Sequence, residues 1–426
     1  MTELTDRGQA VALIPLLGLF VWDLNDGSGP KGVPTATLAL FVVGALYGVA
    51  VLRRHSMRVS VPRAPLFLVS AMLVIGTLMI FARDDFFRSG VLQDTGTLAF
   101  FILCLYIAQQ YAEELMSYRT LVWFTVIYVA IAVFSYYAAS LNLRPEFWWR
   151  GRWDPPYYPV FGALALLARY GRTFNHRVIA VLVTLPMLWL AFASGNRTQF
   201  LLGVICLLIV WGSHVVVMWA LATATALVAF LASFGVVSLG SLTSLVQGSR
   251  FSSLESGDDV SLSGRFAETS DILQRIKYDD SALQTVFGRG AGAMWEPITR
   301  RLDGLPDQVF YLHSGPTALT YRYGVLGVLI FVYFGWIAVR AGMLAVGSKA
   351  TPPEKLWLLG GVGFFVNYFF QNSMFDPPAV LAMAATILLI SRIRARDITA
   401  SRPRTADLSA LRATRRPPMT VGRSVR

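Results

Sequence analysis

Apolar residues in this chain come in long unbroken runs, separated by short polar links. The alternating apolar and polar positions of a barrel strand are absent. The runs are roughly 17 to 25 residues long, enough to cross about 30 Å of hydrocarbon as helix. They predict about twelve spans. The predicted spans are 8–23, 34–52, 64–82, 91–110, 120–140, 155–170, 178–194, 198–213, 214–237, 315–345, 355–373 and 377–391. The fold class expected is an all-α polytopic membrane protein.

One stretch interrupts this pattern. A polar segment runs from Leu239 to Leu312, ends in Tyr311-Leu312-His313-Ser314, and gives way to a new apolar run from Gly315. The chain therefore divides into spans 1–9 (residues 1–237), a loop domain (238–314), spans 10–12 (315–391) and a basic tail (392–426). Inside the loop, Ser261 to Tyr278 reads as a helix, with Ser263 able to cap it and Phe266, Ile272, Leu273 and Ile276 at helical spacing. Phe287-Gly288-Arg289-Gly290-Ala291-Gly292 must turn. No internal repeat is visible, so a repeat-built transporter is not indicated.

Composition agrees with the membrane reading. The chain of 426 residues is 55% hydrophobic and only 15% charged, with a mean hydropathy of +0.55. The net charge of +12 invites a nucleic-acid partner, but ten arginines against Asp397 and Asp407 put +8 of it in the last 35 residues. That tail reads as a disordered segment beside the membrane, and nucleic acid is not an expected partner. Cys104 and Cys206 both fall in apolar runs and read as small hydrophobes. The first apolar run follows Asp6-Arg7 without a small-residue cleavage site, so no cleavable signal peptide is expected.

Lys and Arg in short loops set the orientation. The basic loops are Arg53 to Arg58 with Arg63, then Arg169 to Arg177, then the tail. Twelve spans put all three on one side, so both termini are expected in the cytoplasm. The 239–314 loop then faces outward, with 24–33, 83–90, 141–154 and the turn Ser194-Gly195-Asn196-Arg197.

Several residues on the outward side carry chemistry. Of the four histidines, His55, His176 and His214 fall at predicted cytoplasmic ends, and His313 alone faces outward at the mouth of a span. Its imidazole can take a proton from an attacking hydroxyl near neutral pH; it can equally be a helix-start residue bonding a carbonyl. Arg197 opens an outward helix, where a cation opposes the macrodipole. With exposed backbone N–H groups it makes a phosphate site; the alternative is an arginine snorkelling to headgroups. Arg265 in Ser263-Gly264-Arg265 sits in the first turn of its helix, with Glu268 three positions on as an internal partner. Arg289, between two glycines, is either open to a ligand or part of a surface turn. Arg322 lies seven residues into a span and needs a partner, with Asp376 and Glu296 as candidates. Arg150 and Arg152, among Trp148, Trp149 and Trp153, read as an aromatic belt with snorkelling bases, or as a surface that stacks on sugar rings or grips a lipid phosphate.

Walker A, HExxH, CxxC and Gly-x-Ser-x-Gly motifs are missing. Asp23 and Asp26 are a lone outward pair that could hold a metal. The long loop holds ten acids and seven bases, so an anion would be held there by particular arginines and not by bulk field.

The order of these features resembles a known family. An outward Gly195-Asn196-Arg197-Thr198 is followed by a late external loop that opens with Ser263-Gly264-Arg265. Then come Phe287-Gly288-Arg289-Gly290-Ala291-Gly292, His313-Ser314 and Tyr323-Gly324-Val325-Leu326-Gly327. This pattern resembles the O-antigen ligase and polymerase superfamily, membrane glycosyltransferases of the GT-C type. The motifs cover about residues 190 to 345, and the span layout covers the whole chain. The resemblance implies metal-independent, cofactor-free, inverting glycosyl transfer at the periplasmic face of a bacterial inner membrane. The donor it implies is an undecaprenyl-diphosphate-linked glycan. In the ligase the acceptor is a sugar hydroxyl of lipid A–core; in the polymerase it is another lipid-linked glycan. It also implies His313 as general base and Arg197 and Arg265 as the grip on the donor diphosphate. Arg289 is no clear position of the family and joins that grip as a candidate on its own setting, with Arg322, Arg150 and Arg152 as secondary candidates. The length, the single late loop and the His313-Ser314 junction favour the ligase. A transporter would need charged or broken-helix positions at mid-membrane, and a metal-dependent transferase would use Asp23 and Asp26.

Overall fold

The computed structural model describes residues 62–82, 88–140, 157–193, 197–211, 260–295, 312, 314–371 and 377–401. These residues are overwhelmingly helical, and no strand occurs among them. In chain order the helices are α1 (Arg63–Leu78, continued by a 3₁₀ turn Met79–Ala82), α2 (Arg88–Gln110), α3 (Ala112–Leu115), α4 (Tyr118–Ser140), α5 (Tyr157–Tyr170) and α6 (Phe174–Ala193). They continue as α7 (Arg197–Trp211), α8 (Val260–Tyr278), α9 (Ala282–Phe287), α10 (Gly315–Val346), α11 (Pro352–Gln371) and α12 (Pro377–Ser401). These labels do not match the predicted spans one to one. The expected spans 8–23, 34–52 and 214–237 lie outside the described residues, as do Asp23, Asp26 and Asp376.

Nine predicted spans meet helices with ends shifted by a few residues, with one larger difference. α12 continues to Ser401, so the first ten residues of the expected disordered tail are helical. Polar contacts hold this extension down: Lys349 pairs with Asp397, and Arg396 donates to Glu354 at 2.9 Å. α8 begins at Val260, which puts Ser263 inside its first turns and not at its cap.

Hydrogen bonds sort the bundle into two ends. At one end, Trp357 Nε1 donates to Leu115 O at 2.8 Å, and Tyr118 Oη lies 3.2 Å from His176 Nδ1. An Arg169 guanidinium N–H donates to Val210 O there as well. At the other end, Tyr368 Oη donates to Gly315 O at 2.9 Å, and Arg322 Nη1 lies 2.8 Å from Asp94 Oδ1. The helices run between these ends in alternating directions. Small residues permit the close contacts: Gly203 faces the Phe161 ring and Gly361 faces Thr386, so a β-carbon at either would overlap its neighbour. The main core is built where α2, α4, α5, α10, α11 and α12 meet, with Phe161, Leu105, Phe364 and Leu389 almost inaccessible.

Among the described residues, two helices are long and apolar enough to cross a membrane, Arg63–Phe81 and Gly315–Val346. α10 changes character along its length. Nearly all of Gly315 to Gly324 is buried in protein. From Val325 onward one face is exposed and apolar: Val325, Val328, Leu329, Val332, Trp336, Val339, Met343 and Val346. That spacing of three and four is a continuous stripe on one side of a helix. In water such a patch would drive association; hydrocarbon would cover it at no cost. The stripe starts where the helix breaks. Gly324 has φ 55° and ψ −133°, a conformation closed to residues with a β-carbon except under strain. From Val325 to Val346 is about 33 Å at 1.5 Å per residue, close to the thickness of a hydrocarbon core.

This break is testable against a neutral control. Gly324→Ala puts a β-carbon onto Val286 O and Gly288 N in a forbidden conformation. Thermal unfolding in detergent should show a loss of about 1–3 kcal/mol. Gly96→Ala, with nothing within 4 Å of the new methyl, should be neutral or stabilising by up to about 1 kcal/mol. Equal melting points for the two variants would remove the helix break as a structural requirement.

Candidate functional site

The loop helices fold onto the first turns of α10. Ser281 caps α9 through a reciprocal capping box with Gln284. α9 then stops at Gly288, whose φ of 77° turns the chain back toward α10. Only glycine fits here, because a β-carbon would land on the backbone of Arg322 and Tyr323.

Four consecutive backbone N–H groups of this turn are then used. Arg289 N donates to Tyr321 O at 2.9 Å, and Gly290 N donates to Arg322 O at 2.9 Å. Ala291 N donates to Gly76 O at 3.0 Å, and Gly292 N donates to Asp94 Oδ2 at 2.8 Å. The turn thus takes up carbonyls beside the break in α10, and it ties α10 to α1 and α2. This changes the expectation for the glycine-rich motif. Its glycines let backbone approach the protein's own helices, and those donors are not presented to a ligand.

Arg289 follows the same logic. Its guanidinium pairs with Asp280 through Nε at 2.7 Å and through Nη2, and its Cζ lies 5.2 Å from the Tyr321 ring centre. The sequence offered a ligand grip or a surface turn; what the structure shows is an ion pair that fastens the turn.

Arg322 also has a different partner from those expected. Among the described residues it pairs with Asp94 of α2, 228 positions earlier; the expected partners Asp376 and Glu296 lie outside the described residues. Both side chains are about 2% exposed. A buried pair keeps its charge only if further hydrogen bonds complete it, and the Gly292 amide supplies one to Asp94. Tyr323 and Tyr368 stand within electrostatic reach of the pair. Asp94 escaped sequence reasoning, although it is the only acid in the otherwise apolar α2; a lone ionisable group inside a predicted span is the signal that marks it.

The mouth of α10 is fastened from the loop side. Ile272, Ala293, Trp295, Leu312, Ala318 and Tyr321 form a small second core, with Ile276 against it. Tyr321 Oη donates to Met294 O at 2.9 Å. Glu268 is buried, and Ser314 N points to its Oε1 at 3.5 Å. Thr317 Oγ1 lies 3.0 Å from Ser314 Oγ and 3.2 Å from Thr269 Oγ1. A carboxylate at a helix start complements the macrodipole. Glu268 therefore faces the start of α10, where the sequence offered it as a neighbour of Arg265.

The sequence-predicted residues stand as follows. Leu312 and Ser314, on either side of His313, are fixed by the second core and by Glu268; His313 itself lies outside the described residues. Arg265 lies on α8 one turn before Glu268, and Arg197 is the first residue of α7; both side chains lie outside the described residues. Val210, near the other end of α7, meets Arg169. The start of α7 therefore lies at the same end of the bundle as the Asp94–Arg322 pair. Arg150 and Arg152 lie outside the described residues.

Comparison with known proteins found no matching family model, no matching curated protein and no matching solved structure.

The buried pair gives a clear expectation. Asp94→Asn or Arg322→Met alone leaves one charge uncompensated in the core, at a cost of about 3–5 kcal/mol. The double variant Asp94→Asn/Arg322→Met should recover a large part of that loss in thermal unfolding. Strict additivity of the two single losses would show that the ion pair is not what couples α2 to α10.

Proposed function

We propose that this chain is a polytopic inner-membrane glycosyltransferase, an O-antigen ligase with its active site at the periplasmic face and both termini in the cytoplasm. The observation that carries the reading is the packing of the loop onto α10. The segment on each side of His313 is anchored at the start of that helix, α8 brings the Arg265 position beside it through Glu268, and α7 begins at the same end of the bundle. This is where a lipid-borne donor would present its diphosphate. The exposed apolar stripe of α10 leads directly to that point.

In the proposed reaction an acceptor hydroxyl of lipid A–core attacks the anomeric carbon of the glycan. His313 takes the hydroxyl proton as the new C–O bond forms. The bond from the anomeric carbon to the phosphate oxygen breaks, and its electron pair leaves with undecaprenyl diphosphate. Arg197 and Arg265 stabilise the charge that develops on this leaving group. Guanidinium does this without titrating and grips two oxygens at once. Single displacement inverts the anomeric centre. Arg289 and Arg322 hold the architecture behind the site through Asp280 and Asp94.

Reconstitution with a lipid-linked glycan and lipid A–core tests the reading. Product on lipid A supports the ligase, whereas a lengthened polyprenyl-linked glycan makes the chain a polymerase. His313→Ala should lower transfer by about two to four orders of magnitude while insertion stays intact, and full transfer by that variant would remove the base assignment. Arg197→Ala and Arg265→Ala should behave alike, with lysine a poor substitute. Transfer lost with EDTA and restored by Mn²⁺ or Mg²⁺ would instead favour a metal-dependent transferase.

A further inference from the structure

Two apolar helix faces stop at the same place. α1 is long and apolar enough to cross a membrane from Arg63 to Phe81, and Leu78 and Phe81 are exposed near its end. The exposed face of α10 begins at Val325, just past the helix break. Both places meet the segment that carries the glycine turn. A β-carbon on Gly290 would lie 2.9 Å from Met79 Cβ, and one on Gly324 would lie 2.3 Å from Val286 O. α9 and the turn that follows it therefore sit at the level where both apolar faces end.

What α9 presents at that level is apolar. Leu283 is 53% exposed and Val286 45%, and Phe287 is half-buried. Positions 283, 286 and 287 share one side of a helix. The capping box of Ser281 and Gln284 fixes where this six-residue helix starts, yet a helix this short is marginal in water on its own, and an apolar side turned to water adds nothing to it. Val286 stands against the backbone of Gly324, one position before the stripe of α10 starts. The last turn of α8 adds Lys277 and Tyr278, with the Lys277 ammonium 4.7 Å from the centre of the exposed Tyr278 ring. An aromatic ring with a polar tip and a basic side chain are residues that collect where membrane meets water.

We propose that α9, with Lys277 and Tyr278, is an interfacial anchor that inserts Leu283, Val286 and Phe287 between the headgroups and acyl chains of the leaflet reached by Val325. The partner is a phospholipid surface. The proposal rests on the membrane reading of α1 and α10 and on no part of the glycosyl-transfer reading. Lengths agree with it. The 19 residues of Arg63–Phe81 span about 28 Å at 1.5 Å per residue, close to the hydrocarbon thickness of about 30 Å. α9, seated beside the ends of α1 and of the α10 stripe, then falls in the headgroup layer, where an amphipathic helix buries its apolar face by roughly 5–10 Å. The anchor holds the glycine turn, and through it the opening turns of α10, at a fixed height over the bilayer.

The test uses the full chain in liposomes of phosphatidylethanolamine and phosphatidylglycerol, with Cys104→Ala and Cys206→Ala removing the two buried thiols. A nitroxide is attached at Leu283→Cys, at Asp279→Cys or at Val332→Cys. Its collisions with oxygen, which enters hydrocarbon, are compared with its collisions with a water-soluble nickel chelate. The Leu283→Cys label should show an oxygen-to-nickel ratio several-fold above that of Asp279→Cys and below that of Val332→Cys, which lies on the exposed face of α10. A ratio at Leu283→Cys equal to that at Asp279→Cys, with Val332→Cys shielded from nickel, overturns the anchor and leaves the membrane reading standing. A Val332→Cys label as open to nickel as Asp279→Cys overturns both. The wild-type chain supplies a second measurement without any substitution. A photoreactive carbene carried on an acyl chain should label residues 282–287 as well as 325–346, and label in 325–346 with none in 282–287 overturns the proposal.

Discussion

A buried ion pair organises one end of the bundle. Asp94 and Arg322 are both withdrawn from solvent, and such a pair is stable only where hydrogen bonds complete it. The Gly292 amide does this for Asp94. To reach it, the chain must pass through the glycine turn, and the turn in turn occupies the carbonyls beside the break in α10. The pair, the turn and the helix break are therefore one device. None of the three makes physical sense without the other two.

This device explains why a polar loop belongs to an apolar bundle. The first turns of α10 are enclosed by protein: α8 and the second core on one side, α11 and Tyr368 on another. Beyond Gly324 the same helix presents an apolar stripe of lipid-crossing length. The break separates a segment that must be held in place from a segment that only needs a hydrophobic surrounding. Glu268 and the two core residues Leu312 and Tyr321 fix the mouth of the helix. A base and an anion grip located there would be carried on backbone with little freedom, which is what positioned catalysis requires.

The opposite end is held by different means. Trp357, Tyr118, Arg169 and Arg396 bond to carbonyls, rings and carboxylates of neighbouring helices. These contacts are local, and each joins two or three helices.

Long apolar runs were enough to predict helices, because burying or covering that much apolar surface leaves few alternatives to a hydrogen-bonded helix. The loop helix and the turn at Gly288 to Gly292 were also legible, from spacing and from glycine. What the chain pattern could not provide was which donors met which acceptors. Arg322 was visibly in need of a partner, yet Asp94 is separated from it by 228 positions. Arg289 between two glycines gave no sign that its guanidinium pairs with Asp280. The persistence of α12 to Ser401 depends on Asp397 and Glu354 meeting Lys349 and Arg396 across helices. Periodicity records what one residue needs from its own segment; pairing between distant segments is settled only when the helices pack, because the energy of a buried charge depends on the one neighbour that packing brings to it.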